Sequence, residues 1–162
     1  MQALQIVYSS GRDIQIALGL VQMLWDRTEP TGYAPYVVEN MLPGTPKHEI
    51  LIHAAIGDQQ VTPLGAQMVA RAMHAKNLKP VNRSIFGIPD TDGPFTGSGY
   101  VEFNFMLPES PKTNTPPTGA MYPDSDDPHD KVRKLNAAYD QSDWFFRKGE
   151  VKAFCTGVCD PE

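Results

Sequence analysis

The sequence predicts an α/β protein: a small, mostly parallel sheet of about three to four strands covered by three main helices. Three observations carry that expectation. The run at 49–56 (Glu-Ile-Leu-Ile-His-Ala-Ala-Ile) is continuous, apolar and bounded by Gly57 and Asp58, which suits a strand covered on both faces. Helical apolar spacing flanks it on both sides. No internal repeat competes with a single-domain reading of residues 1–162.

Taken in order, residues 3–8 suit a strand or the lead into a helix. From Asp13 to Asp26, Ile14, Leu18, Val21 and Trp25 recur at helical spacing, and Ile16, Leu20 and Leu24 widen the stripe. Asp13 is the expected N-cap, and Pro30 is expected to stop the helix. Residues 28–47 hold Pro30, Gly32, Pro35, Pro43, Gly44 and Pro46, which predicts a loop with at most a short helix. After the 49–56 strand, Thr62 or Pro63 begins a helix with Leu64, Met68, Ala72 and Met73 on one side. Residues 83–88 and 100–107 read as two more strands, the second half exposed because apolar and polar residues alternate. From 108 to 128 the chain is Pro- and Asp-rich with almost no core formers. A loop of about twenty residues is uncommon unless it serves a function or is disordered; this one delivers His129. A last helix spans Lys131 to Phe146, with Val132, Leu135, Ala138 or Tyr139, and Phe145 at helical spacing.

Composition bounds the function. With 162 residues, 41% apolar and 20% charged, the chain is long enough for a real core. A net charge of −5 argues against a nucleic-acid partner, which wants a basic stripe. No apolar run reaches the length of a membrane span, and Met1-Gln-Ala-Leu-Gln5 has neither the charged region nor the cleavage site of a signal peptide. Cys155 and Cys159 fit either a small disulfide loop, which favours an oxidising compartment, or two free thiols. A zinc site would need two further ligands nearby. Asp124, Ser125, Asp126 and Asp127, with Asp130 beyond, form an oxygen-rich run of the kind Ca²⁺ accepts. Asp124, Asp126 and Asp127 are its candidate ligands, against the plain alternative of solvated loop acids. No cofactor is otherwise implied.

The chemistry lies in an order. An acid, Asp58, follows an apolar strand, and a histidine, His129, opens a later helix after Pro128. That is the order of the last two members of an α/β-hydrolase triad. Alone, Asp58 is more often a turn or N-cap residue than a catalyst, and His129 has the alternative of a plain surface histidine. His53, inside the apolar strand, reads as a satisfied core or near-core histidine, and His48 and His74 as surface residues.

Several stretches, in this order and spacing, resemble the C-terminal third of a group of exported bacterial α/β-hydrolase-fold lipases and esterases. They are 22–27 (Gln-Met-Leu-Trp-Asp-Arg), 32–34 (Gly-Tyr-Ala), 42–46 (Leu-Pro-Gly-Thr-Pro), 57–61 (Gly-Asp-Gln-Gln-Val), Ala70 and Arg71, and Pro128-His129 followed by Val132 and Arg133. The resemblance implies that Asp58 matches the triad acid and His129 the base. It also implies that this chain begins after the point where such families place the serine. Ser10 is the internal substitute worth weighing, since it lies between an apolar run and a helix. Tyr8 and Arg12 stand where the glycines of a nucleophile elbow belong. Ser98, in Gly97-Ser98-Gly99, is followed by a strand instead of a helix.

Without a serine, a His–Asp pair can act as general base on water, and lactones and activated esters are the easiest substrates. The expected function is therefore hydrolysis of carboxylic esters, including lactones, by the His129/Asp58 pair. The alternative is a non-catalytic module or fragment that associates with itself or with a serine-bearing partner. An uncovered sheet edge in such a chain predicts a homo-oligomer. The localisation stays open, since the resembled family is exported.

Overall fold

The computed structural model describes residues 6–58, 60–106 and 127–160. Its contacts divide the chain into two compact units, Met1–Tyr33 and Ala34–Glu162.

The first unit holds helix α1, Gly11–Trp25. Ser10, not Asp13, is its N-cap, in an extended conformation with no side-chain capping bond, and Asp13 sits in the first turn, where its charge suits the helix dipole. Residues 6 and 7 are helical and not strand. At the far end Asp26 N–H donates to the Gln22 carbonyl at 2.8 Å, and Gln22 Nε2 donates to Asp26 Oδ1 at 2.8 Å. The helical periodicity therefore yields a helix. Of its stripe, however, Ile14 is buried while Val21, Leu24 and Trp25 stay exposed.

Pro30 begins a helix instead of ending the local structure: α2 spans Pro30–Val38, with Pro35 inside it. A proline at the first helical position costs no hydrogen bond and brings its φ already set, so the expected loop is helical over these residues. Ala34 and Val38 from α2 pack with Met73 in a small core of the second unit.

The second unit contains a parallel sheet of four strands, the α/β arrangement. In space the order is β1 (Leu51–Ala55), β5 (Gly99–Phe103), β2 (Lys76–Leu78) and β3 (Asp90–Thr91), with every neighbouring pair parallel. Two further strands, β4 (Phe95–Thr96) and β6 (Glu150–Val151), pair antiparallel. Helix α3 (Pro63–Ala72), the single turn α4 (Pro128–Lys131), a 3₁₀ turn at Val132–Lys134 and helix α5 (Asn136–Lys148) complete the unit. Gly149, at φ 66°, ends α5 by donating to the Phe145 carbonyl at 2.8 Å, a left-handed cap that glycine adopts without strain.

Strand β5 is buried along its whole length. Tyr100 packs with Ala54, Ala70 and Ala75, while Val101 and Phe103 pack with Ala138 and Val151. The polar residue that suggested half exposure, Glu102, is buried as well. Arg83 grips it through Nε at 2.6 Å and Nη2 at 2.8 Å, and Tyr100 O–H at 2.8 Å and Gln67 Nε2 at 3.0 Å also donate to it. Burial, together with Glu102, raises the Tyr100 hydroxyl pKa, so the phenol stays a donor. The carboxylate's bond raises the Arg83 pKa further.

Three other expectations change in detail. Residues 83–88 form a turn with an isolated bridge between Ile85 and Ile88, although both isoleucines enter the core. Helix α3 turns Ala66 and Ala70 inward and leaves Leu64 and Met68 exposed, because small side chains let it sit close to the sheet. The final helical region is three pieces, with Leu135 in extended conformation before α5. Cys155 and Cys159 are disulfide-bonded. The Cys159 carbonyl accepts from Asn104 N–H at 2.8 Å and Asn82 Nδ2 at 3.0 Å, which fastens this loop to the end of β5. No described helix is long and apolar enough to cross a membrane.

Candidate active site

The site forms where β1 runs out. After Ala55, the chain turns through Gly57 at φ 92°, a left-handed conformation that side chains disfavour. That turn aims Asp58 back across the end of the strand. Oδ1 of Asp58 accepts from the backbone N–H of Gln60 and of Val61, both at 2.8 Å. Oδ2 accepts from Nδ1 of His129 at 2.8 Å. One oxygen of Asp58 thus serves its own turn and the other serves His129. The side chains are largely withdrawn from water, 7% exposed for Asp58 and 19% for His129.

His129 is placed from its own side of the gap by Asp127. Oδ1 of Asp127 accepts the His129 N–H at 2.9 Å, capping α4, and Oδ2 accepts Gln60 Nε2 at 2.6 Å. Pro128 is buried at the first helical position. Gln60 therefore ties the Asp58 turn to the His129 turn, and the pair is held by backbone geometry on both sides.

Arg133, one helical turn beyond His129, approaches the other ring nitrogen: Nη2 lies 2.6 Å from Nε2. A guanidinium only donates, so Nε2 accepts and Nδ1 carries the proton that goes to Asp58. These two partners select the tautomer a general base needs, with its lone pair directed away from the carboxylate. Arg133 also lines a cavity of about 380 Å³ with His53, Val132, Ala138, Tyr139 and Ser142.

His53 has its own tether. Nε2 lies 2.8 Å from Gln141 Oε1, and Gln141 spends its amide N–H on the Lys152 carbonyl at 2.6 Å. Nε2–H is thus the donor, and Nδ1 keeps the lone pair. The ring meets Phe103 edge-on, 5.3 Å between centroids. Burial lowers its pKa below the usual histidine value, the Gln141 bond opposing in part.

Ser10 belongs to the first unit, at the start of α1, with an ordinary extended φ of −100°. No strand precedes it among the described residues. Ser98 lies just ahead of β5, where its Oγ accepts from Ile50 N–H at 3.3 Å. In a parallel sheet that is the end opposite Asp58. Asp124 and Asp126 lie outside the described residues, and Asp127 is committed to His129 and Gln60. Among the described residues no group of three or more His, Cys, Asp or Glu is arranged to hold a metal ion. Sequence reasoning missed the roles of Gln60, Asp127 and Arg133. The spacing of Arg133 four residues after His129 was the available signal, since such positions share a helix face.

No protein-family model, curated protein or solved structure matches the chain.

Proposed function

We propose that the protein hydrolyses small carboxylic esters, including lactones, with His129 as general base and Asp58 as the residue that positions it. The observation that carries this reading is the 2.8 Å bond from His129 Nδ1 to a largely buried Asp58 carboxylate. Such a carboxylate fixes the ring and stabilises the imidazolium formed in turnover.

In the proposed cycle, Arg133 moves off Nε2 as substrate enters and offers its guanidinium to the carbonyl oxygen. Nε2 takes a proton from water as the water oxygen adds to the carbonyl carbon. Arg133 stabilises the resulting oxyanion, the kind of contact that contributes most where charge develops. On collapse the bond to the alkoxy oxygen breaks, and the imidazolium returns its proton to that oxygen. The resemblance of residues 57–61, 128–129 and 132–133 to exported bacterial lipases and esterases supports the same chemistry.

Turnover of γ-butyrolactone or p-nitrophenyl acetate by the purified chain tests the proposal. A fluorophosphonate serine probe separates the mechanisms: turnover without labelling supports attack by water, and labelling identifies a serine nucleophile. A second reading has one observation in its favour. β1 is the end strand of the sheet, and such an edge accepts another strand. On that reading the chain is a module that joins a second copy or a serine-bearing partner. It predicts a homo-oligomer in light scattering and no acyl turnover alone.

A further inference from the structure

We infer that the cavity lined by Arg133 and His53 binds a short hydroxy acid, the ring-opened product of a small lactone, with Arg133 on its carboxylate and His53 Nδ1 on its hydroxyl. The inference narrows the proposed ester chemistry to lactones and rests on that reading for its reaction, though not for its binding.

The cavity sets a cation and an imidazole acceptor on one wall. Its wall holds one cation, Arg133, and a neutral imidazole, His53, between Val132, Ala138 and Tyr139. Of the two hydroxyl side chains on the wall, Ser142 donates to the Ala138 carbonyl at 2.8 Å, and Tyr139 is largely exposed. His53 is fixed the other way round from His129: Gln141 takes its Nε2–H, so Nδ1 is an acceptor, and no described residue donates to it. A ligand that satisfies this wall carries an anion for Arg133 and a hydroxyl proton for His53. A volume of about 380 Å³ is at the small end of ligand pockets.

Lactone hydrolysis produces both groups on one molecule. Water adds to the carbonyl carbon, the ring carbon–oxygen bond breaks, and the proton taken by His129 passes to the ring oxygen. The acid then loses a proton to solvent. The former carbonyl oxygen, already facing Arg133, becomes a carboxylate oxygen there. The former ring oxygen becomes a hydroxyl on the same carbon chain, free to donate to His53. A simple ester would release its alcohol as a separate molecule and gain nothing from the second contact.

The test is a titration with sodium 4-hydroxybutyrate and, separately, sodium butyrate, followed by calorimetry and by the histidine ring ¹⁵N resonances. The expected result is binding of 4-hydroxybutyrate up to about tenfold tighter than butyrate, the range one neutral hydrogen bond supplies. The Nδ1 resonance of His53 moves with the hydroxy acid and stays still with butyrate. Arg133→Met, on an exposed side chain, loses binding of both. Equal affinities with an unmoved His53 signal, or no binding of either acid, overturn the inference. Binding with this pattern but no lactone turnover keeps the site and removes the hydrolase reading. Turnover with an unmoved His53 signal does the reverse.

Discussion

Nδ1 of His129 donates to Oδ2 of Asp58 at 2.8 Å across 71 positions of sequence. Neither residue is free to drift. Asp58 is locked by two backbone donors from its own turn, and His129 by the cap from Asp127. A surface pair of long, loose side chains contributes little; this one is short, largely buried and supported from both ends.

Asp127→Ala removes both the cap of α4 and the anchor for Gln60. Losing an N-cap costs about 1 kcal/mol. The larger effect falls on His129, whose ring then samples positions away from Asp58. Turnover falls at least tenfold while thermal unfolding shifts by only a few degrees. A variant with wild-type turnover would show that the cap does not position the histidine.

Arg83→Ala strikes the sheet instead of the site. Glu102, 2% exposed in its side chain, loses its cation and keeps only Tyr100 and Gln67 as donors. Removing one partner of a buried ion pair costs about 3 kcal/mol or more, a drop in Tm on the order of 10 °C for a chain of this length. Replacing Glu102 together with Arg83 by apolar residues recovers part of the loss. Calorimetry of the single and double variants checks both statements.

His53 gives stability a pH dependence. Its pKa is lowered in the folded protein by burial, so below the ordinary histidine value, near 6.5, the unfolded chain takes up a proton that the folded chain refuses. Stability is full above pH 6.5 and falls as the pH drops toward the folded-state value, by at most about 1.4 kcal/mol per pH unit from this group. Arg133 is the charged side chain on the same cavity wall. Between pH 7 and pH 5 the wild type therefore loses more Tm than His53→Gln. Parallel losses in the two proteins would remove His53 as the cause.

The first strand, Asp58 at its exit and His129 after it are legible in the sequence for a physical reason. A continuous apolar run ending in Gly57 and Asp58 is what a covered parallel strand and its exit turn require. β2 and β3 are not legible: Lys76–Leu78 and Asp90–Thr91 are short and polar, and their strand character comes from their neighbours. Glu102 reads as exposed because its partner, Arg83, lies 19 positions earlier in the chain. Of the expected apolar face of α3, Met73 and Ala72 do pack in a core, while Leu64 and Met68 are exposed because the small Ala66 and Ala70 fit against the sheet. Among the described residues Ser10 heads a helix with no strand before it, whereas an elbow needs one.

The most direct measurement is kcat on γ-butyrolactone for Asp58→Asn, His129→Ala and the double variant, with folding confirmed by circular dichroism. Groups that act as one unit fail together, so each single variant and the double fall to a common floor, at least about 100-fold below wild type. Wild-type turnover in either single variant would contradict the account, since it would leave the bond between His129 and Asp58 as a structural tie with no part in chemistry.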